Sequence, residues 1–248
     1  CDLVKDGDKY IITKLDEYYD RKKQNTLIYA RWLLSGLMTG AFYASRNSTN
    51  NRLDHNLTAA SKDIMKIILE DNELIEIDIR NSQFAIHSLW LKNIGLHEMY
   101  EDVFNYCNAC AKGELYEYIA THLNTTREEA KRAMMSLSFS SGRNSTKEKK
   151  VLRVLFPNVV AQADEYKKKD GESSEFAVML QRIESAIVID RLYYELKRRG
   201  IFCLTKHDSL IVRKNQRSVV LDVIYSISKE IGLECTLNVD GDFIFTGA

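Results

Sequence analysis

Several things are scarce in this chain. Its 248 residues contain one proline, Pro157, and no internal repeat or low-complexity segment. With 45% hydrophobic and 28% charged residues, the composition is that of a folded globular chain and excludes intrinsic disorder. That length suffices for one large domain or two small ones with a real core. Long apolar runs are missing too. None approaches the roughly 20 residues that a bilayer span needs, so no membrane role is expected. No stretch combines the charged start, apolar centre and small-residue cleavage site of a signal peptide, which points to the reducing cytoplasm of a bacterial or phage-infected cell. The chain opens on Cys1 rather than methionine, which leaves room for a missing N-terminal portion. The four glycosylation sequons at Asn47, Asn56, Asn124 and Asn144 are incidental in such a compartment.

Net charge is absent as well. Thirty-five basic residues balance 35 acidic ones, so any surface for nucleic acid must come from local clusters. Cysteine is sparse and odd in number, five in all. Cys107 and Cys110 form a lone CxxC with no second pair nearby, and we read them as cysteines on one helical face rather than half a zinc site.

What is present is a helix-rich pattern interrupted by a few strands. Apolar residues at spacings of three and four, from Tyr10 to Leu37, predict helix over 8–40. The polar stretch "RNSTNNRLDHN", 46–56, has loop composition, and helix is expected to resume over 59–70. "ELIEIDI", 73–79, alternates apolar and acidic residues and predicts a strand ending near Asp78. Helices follow over 82–91 and 97–122. Thr126 and Glu129 have the spacing of a capping box that opens the next one. Residues 147–169 read as helical, and a long helix over 175–199 should stop at Gly200. Two short strands are expected around His207 and Asp208, and "CTLNVDGDFIF" reads as a hairpin with an Asp-Gly turn.

Two aspartates therefore stand at strand ends. If their strands are neighbours, Asp78 and Asp208 project from one sheet edge, a geometry that suits two magnesium ions bridging nucleotide phosphates. Singly, each has an ordinary alternative: a helix cap for Asp78 and a hairpin turn for Asp208. The segment "REEAKRAMMSLSFSSG" adds a third element. Arg127, Lys131, Met135 and Phe139 recur every four residues, and at about 40° per step they occupy an arc of about 120° on a helix. The stripe is cationic at its start and apolar or aromatic at its end, suited to a triphosphate and a stacked base. A merely amphipathic helix with a solvated end would show the same spacing.

Taken together, "DIRNSQF", "RxxxKxxxMxxxF" and "KHDSLIV", in that order, resemble the palm and fingers motifs of the family A DNA polymerases and the related single-subunit RNA polymerases. Upstream, "NNRLDHNLT" is similar to the family's arginine-leucine segment, and "LQRIESAIVIDRL" to its glutamine-bearing helix. The likeness covers about residues 46–213. It implies an α/β (α+β) fold, a helix-rich palm with a small antiparallel sheet plus fingers helices, in a compact phage or mobile-element type. The segments would be an N-terminal helical region or thumb remnant (1–58), a palm with the first motif (59–100), fingers (101–170), and a palm with the third motif and C-terminal hairpin (171–248).

The resemblance implies a two-metal nucleotidyltransferase, most simply a template-directed DNA polymerase. Asp78 and Asp208 would bind two Mg2+ ions, with Mn2+ as a substitute. Lys131 and Arg127 would meet the triphosphate, Met135 and Phe139 the base, and Gln83 the sugar. His207 would flank the primer terminus, although it is equally well a hairpin histidine, and Arg52 and Gln181 would contact nucleic acid. The implied partners are DNA primer-template and dNTPs, with RNA or rNTPs as the alternative; a same-fold RNA polymerase, primase-like or template-independent transferase is one rival, and a catalytically idle nucleic-acid-binding scaffold is the rival of a different class. Met135 and Phe139 stand where the family has an aromatic and a tyrosine, and Gln83 where the DNA enzymes carry glutamate, so sugar choice is the property most open to change.

Overall fold

The computed structural model describes residues 43–141, 146–170 and 174–247, together with positions 24, 28, 35 and 39–41. The helix expected over 8–40 falls almost wholly outside these residues; the described positions 24, 28, 35 and 39 are helical. The chain divides into one unit of Cys1–Ser45 and Asp54–Ile68 and a second of Arg46–Leu53 and Leu69–Ala248.

The fold is helix-rich with a small antiparallel sheet. In order, the elements are β1 (Ala44–Arg46), β2 (Leu53–His55), α1 (Lys62–Asp71), β3 (Leu74–Ile79), α2 (Ser82–Asn93), α3 (Leu96–Met99), α4 (Glu101–Ala111), α5 (Leu115–His122) and α6 (Arg127–Phe139). There follow α7 (Lys147–Leu155), α8 (Pro157–Asp170), α9 (Glu175–Ser185), a π-helical stretch (Ala186–Tyr193), α10 (Tyr194–Arg198), β4 (Cys203–Lys206), β5 (Ser209–Arg213), α11 (Arg217–Ile231), β6 (Thr236–Val239) and β7 (Asp242–Phe245).

β3 is the centre of a five-stranded sheet of order β4-β5-β3-β6-β7. Its alternation works as the sequence implies: Ile75, Ile77 and Ile79 are buried in the core, and Glu76 and Asp78 point to the other face. Burying a side chain such as Ile77 contributes roughly 1.5–3 kcal/mol relative to leaving it in water. Two hairpins flank this strand. The β6–β7 turn is Asp240-Gly241, both with positive φ, as the Asp-Gly pair requires. The β4–β5 turn is only His207-Asp208, since Lys206 pairs with Ser209.

Three departures from the sequence reading have local causes. The polar stretch 46–56 contains a hairpin, because Asn47 and Asn50 accept from the backbone N–H of Thr49 and Arg52 and Asn51 takes a left-handed φ of 59°; asparagine makes the turn without glycine. The helical span 147–169 is two helices, since Pro157 has no N–H to continue the first and opens the second. The long helix over 175–199 ends as expected before Gly200 (φ 72°), but its middle is π-helical over Ala186–Tyr193.

Candidate functional site

A residue in an uncommon backbone conformation precedes Asp208 directly and another follows Asp78 by three positions. β3 ends in a turn in which Asn81 has φ 55°, and its carbonyl accepts from Phe84 and Ala85 as α2 begins. Asp208 follows His207, whose φ of 57° is the glycine-favouring value at the first position of a two-residue turn. A non-glycine residue there costs of order 1–3 kcal/mol and persists only where the surroundings hold it. Because β3 and β5 are adjacent and antiparallel, Asp78 lies opposite Ser209, one residue from Asp208, and the Ile79 N–H meets the Asp208 carbonyl at 3.4 Å. The two carboxylates are thereby brought to one edge of the sheet.

A third carboxylate joins them. Glu184, at the end of α9, is almost fully buried; its Oε2 accepts from Arg52 Nε (3.0 Å) and Nη2, and its Oε1 from Ser82 Oγ. Ser82 Oγ also lies 3.0 Å from Asp208 Oδ2. A fourth, Glu76, accepts from Ser209 Oγ at 2.6 Å. Burial, and then the charges of Asp208, Glu76 and Glu184, push the Asp78 carboxyl up to about 7 against the pull of Arg80. Burial and Asp208 raise Glu184, opposed by Arg52. Four carboxylates against two guanidinium groups leave a local surplus of negative charge.

That surplus is the observation by which a divalent cation fits. Among the described residues no three carboxylate, imidazole or thiol groups converge so as to hold one ion. An ion at Asp78 and Asp208 would complete its shell with water molecules, several of which magnesium usually keeps. Cys107 and Cys110 are both buried in α4, and burial raises both thiols, so they are poor thiolate ligands.

α6 starts with the expected capping box, Thr126 accepting from Glu129 N–H while Glu129 accepts from Thr126 N–H. Ala130, Ala133, Met134 and Leu137 form its buried face, and Arg127, Lys131, Met135 and Phe139 are all exposed. Its C-terminal end is held by two buried ammonium groups. Lys167 donates to the carbonyls of Leu137 and Ser140 (2.6 Å to the latter), and Lys149 to that of Ser141 (3.1 Å). Cations there satisfy the last carbonyls and complement the helix dipole. Desolvation and the nearby Lys149 lower Lys167 to about 8.

One chain of contacts ties this helix to the sheet edge. Arg127 Nε and Arg80 Nη2 both donate to Glu117 Oε1, at 2.9 and 3.2 Å. Arg80 is two residues past Asp78, and its guanidinium lies 4.3 Å from the centre of the Phe243 ring. Gly113 makes room for it: at φ 69°, an added Cβ would stand 3.1 Å from Arg80 Cβ and Cδ and 3.0 Å from Thr236 Cβ.

The remaining expected residues are placed as follows. Gln83 is the half-buried second residue of α2, and His207 is half-buried in its turn. Arg52 is engaged by Glu184, and Gln181 accepts from Asn50 Nδ2 at 3.0 Å, so both support the 46–53 segment against α9. Arg80, Ser82, Glu117 and Glu184 escape a reading of the sequence. Only Glu184 leaves a signal there, as a carboxylate in phase with Leu180, Ile187 and Val188 on a buried helical face. Among the described residues no helix is long and apolar enough to cross a membrane. No protein-family model matches the chain, and comparison with curated proteins finds no match.

Proposed function

We propose that this chain is a nucleotidyltransferase that adds nucleotides to a primer 3′-hydroxyl, a template-directed DNA polymerase working in the cytoplasm of a bacterial or phage-infected cell. The observation that carries the reading is the meeting of Asp78, on β3, with Asp208, in the turn that leads into the adjacent β5, within a net-negative, partly buried edge. The resemblance of the three ordered motifs supports it, as does the solvent-facing stripe on α6.

Asp78 and Asp208 would hold two Mg2+ ions, which when bound activate the attacking hydroxyl and stabilise the leaving oxygen of an in-line displacement at the α-phosphate. The protein's own part is charge and position. Arg127 and Lys131 meet the triphosphate from the first turns of α6, where the helix dipole also favours anions. Met135 and Phe139, further along the same stripe, give the base an apolar surface. Gln83 lies beside the sugar and His207 beside the primer terminus. A primer-extension assay with Mg2+, run with dNTPs or rNTPs and with or without template, tests the reading; absence of any nucleotide addition would sink it.

Two expected outcomes follow from the stripe and the sugar position. Lys131→Ala should lower kcat and raise KM for the nucleotide, together about 10- to 100-fold in kcat/KM, because a triphosphate partner acts in both ground and transition states. Since Lys131 is exposed, the melting temperature should stay put; loss of folding with unchanged activity per folded molecule would return the stripe to a purely structural role. For sugar choice, the wild-type protein should prefer dNTPs but leak. Phe139 lacks a hydroxyl for recognising ribose, while Gln83 can still crowd a 2′-hydroxyl. Gln83→Ala should raise ribonucleotide insertion relative to deoxyribonucleotide in single-nucleotide kinetics, and a wild-type preference for rNTPs would overturn the DNA label.

A further inference from the structure

Glu184 is a carboxylate withdrawn from water with its side chain only 1% exposed, where an unpaired charge could not persist. Three separate elements meet on it: the 46–53 segment through Arg52, the first residue of α2 through Ser82, and its own helix α9. The Arg52 contact is not an isolated pair. The Arg46 guanidinium binds both oxygens of Asp190 (2.9 and 3.0 Å), Arg182 Nε donates to the Thr49 carbonyl (2.7 Å) and Ser185 Oγ to that of Asn50 (3.3 Å). The segment is thus fastened along the helix on both sides of Glu184, and Arg52 is held where it meets that carboxylate. The π-helical stretch begins two residues after Glu184, an irregularity of the kind that collects at functional sites.

Ser82 carries the connection onward. Its hydroxyl has one proton and stands between Glu184 Oε1 and Asp208 Oδ2, so whatever fixes it at one carboxylate is felt at the other. Asp208 stands beside the like charge of Asp78, and the contact from Ser82 Oγ at 3.0 Å ties its carboxylate to Glu184.

Resting on the two-carboxylate reading of Asp78 and Asp208 above, we infer that Glu184 is a positioning residue, with Arg52 as its counter-ion, that sets the Asp208 carboxylate for cation binding through Ser82. It acts through the serine rather than as a third ligand, since among the described residues no three such groups converge on one ion. Outer groups that orient a metal-binding carboxylate in this way matter about 10- to 100-fold for metal affinity. Glu184→Gln removes a negative charge and leaves Arg52 its positive one, and both changes oppose a cation at Asp208.

The test is Mn2+ binding by the full chain, read from loss of the free-ion signal in electron paramagnetic resonance, for wild type, Glu184→Gln, Ser82→Ala and Asp208→Asn. A parallel Mg2+ titration of primer extension separates half-saturation from kcat. We expect Asp208→Asn to abolish binding, and Glu184→Gln and Ser82→Ala each to weaken it about 10- to 100-fold. The half-saturating Mg2+ should rise in step, with kcat largely recovered at high Mg2+. A protein kept intact only for folding by Glu184 would show lower melting temperatures with unchanged Mn2+ affinity per folded molecule, and that result overturns the inference. Ser82→Ala leaves the Arg52–Glu184 pair in place and gives the same reading if the glutamine variant folds poorly. Failure of wild type itself to bind Mn2+ brings down the two-carboxylate reading and this inference with it; normal behaviour of wild type and Asp208→Asn beside unaltered Glu184→Gln and Ser82→Ala brings down the inference alone.

Discussion

On the proposed function, Asp208→Asn is expected to lower nucleotide addition by a factor on the order of 10³ or more, equivalent to about 4 kcal/mol of transition-state stabilisation, while primer-template binding should change little. The amide has nearly the shape of the carboxylate and can keep a contact with Ser82 Oγ, so the turn at His207 and the β4–β5 pairing survive. What disappears is the charge that would offset a divalent cation. Asp78→Asn should have the same consequence for activity, because the two side chains share one sheet edge. Primer extension under single-turnover conditions, with binding followed separately by fluorescence anisotropy, provides the check. Near-wild-type extension by either variant would remove the basis for two-metal chemistry.

The second large effect falls on stability and has the opposite direction. In metal-free buffer at pH 8, Asp78→Asn should stabilise the fold by roughly 4 kcal/mol. Burial and three neighbouring carboxylates raise Asp78 from 3.8 to about 7 in the native state. An acid raised in this way binds more protons when folded than when unfolded. Its cost to stability is absent below about pH 4, grows as pH climbs towards 7, and is complete above that; asparagine carries none of it. His87 has the opposite slope. Fully buried between Tyr106 (3.1 Å) and Gln162 (3.0 Å), it is depressed to about 4, so stability is lost as pH falls from 6.5 towards 4. The two trends oppose each other in the wild-type curve, but both proteins contain His87, so the difference between them isolates Asp78. Urea unfolding with a chelator should show that difference small, about 1 kcal/mol, at pH 4.5 and largest at pH 8. A gap independent of pH would show that Asp78 does not titrate in the folded protein as its surroundings dictate. A bound divalent cation should close the gap by stabilising the wild type alone.

How the site divides between chain and fold can be seen residue by residue. Strand β3 was legible because isoleucine and acid alternate at the period of a strand, and α6 because Thr126 and Glu129 form a cap that depends on four consecutive residues. The solvent-facing stripe from Arg127 to Phe139 was likewise a matter of helical period, which is local. The hairpin within 46–56 was not legible, because asparagine side chains there replace the glycine that usually announces a turn. Nor was the break at Phe156, although Pro157 marks it.

Local period and turn chemistry thus determine by themselves the helix-rich α/β class, most of its elements, and the placing of two aspartates at strand ends. Tertiary structure alone decides that those strands are neighbours, that Glu184 is buried against Arg52 and Ser82, and that Glu117 joins Arg80 to Arg127. The physical reason is separation along the chain. Arg52 and Glu184 are 132 residues apart, and Ser82 and Asp208 126. A charge's partner at that distance is chosen by the packing of whole elements, for which no short stretch of sequence carries a period or a motif.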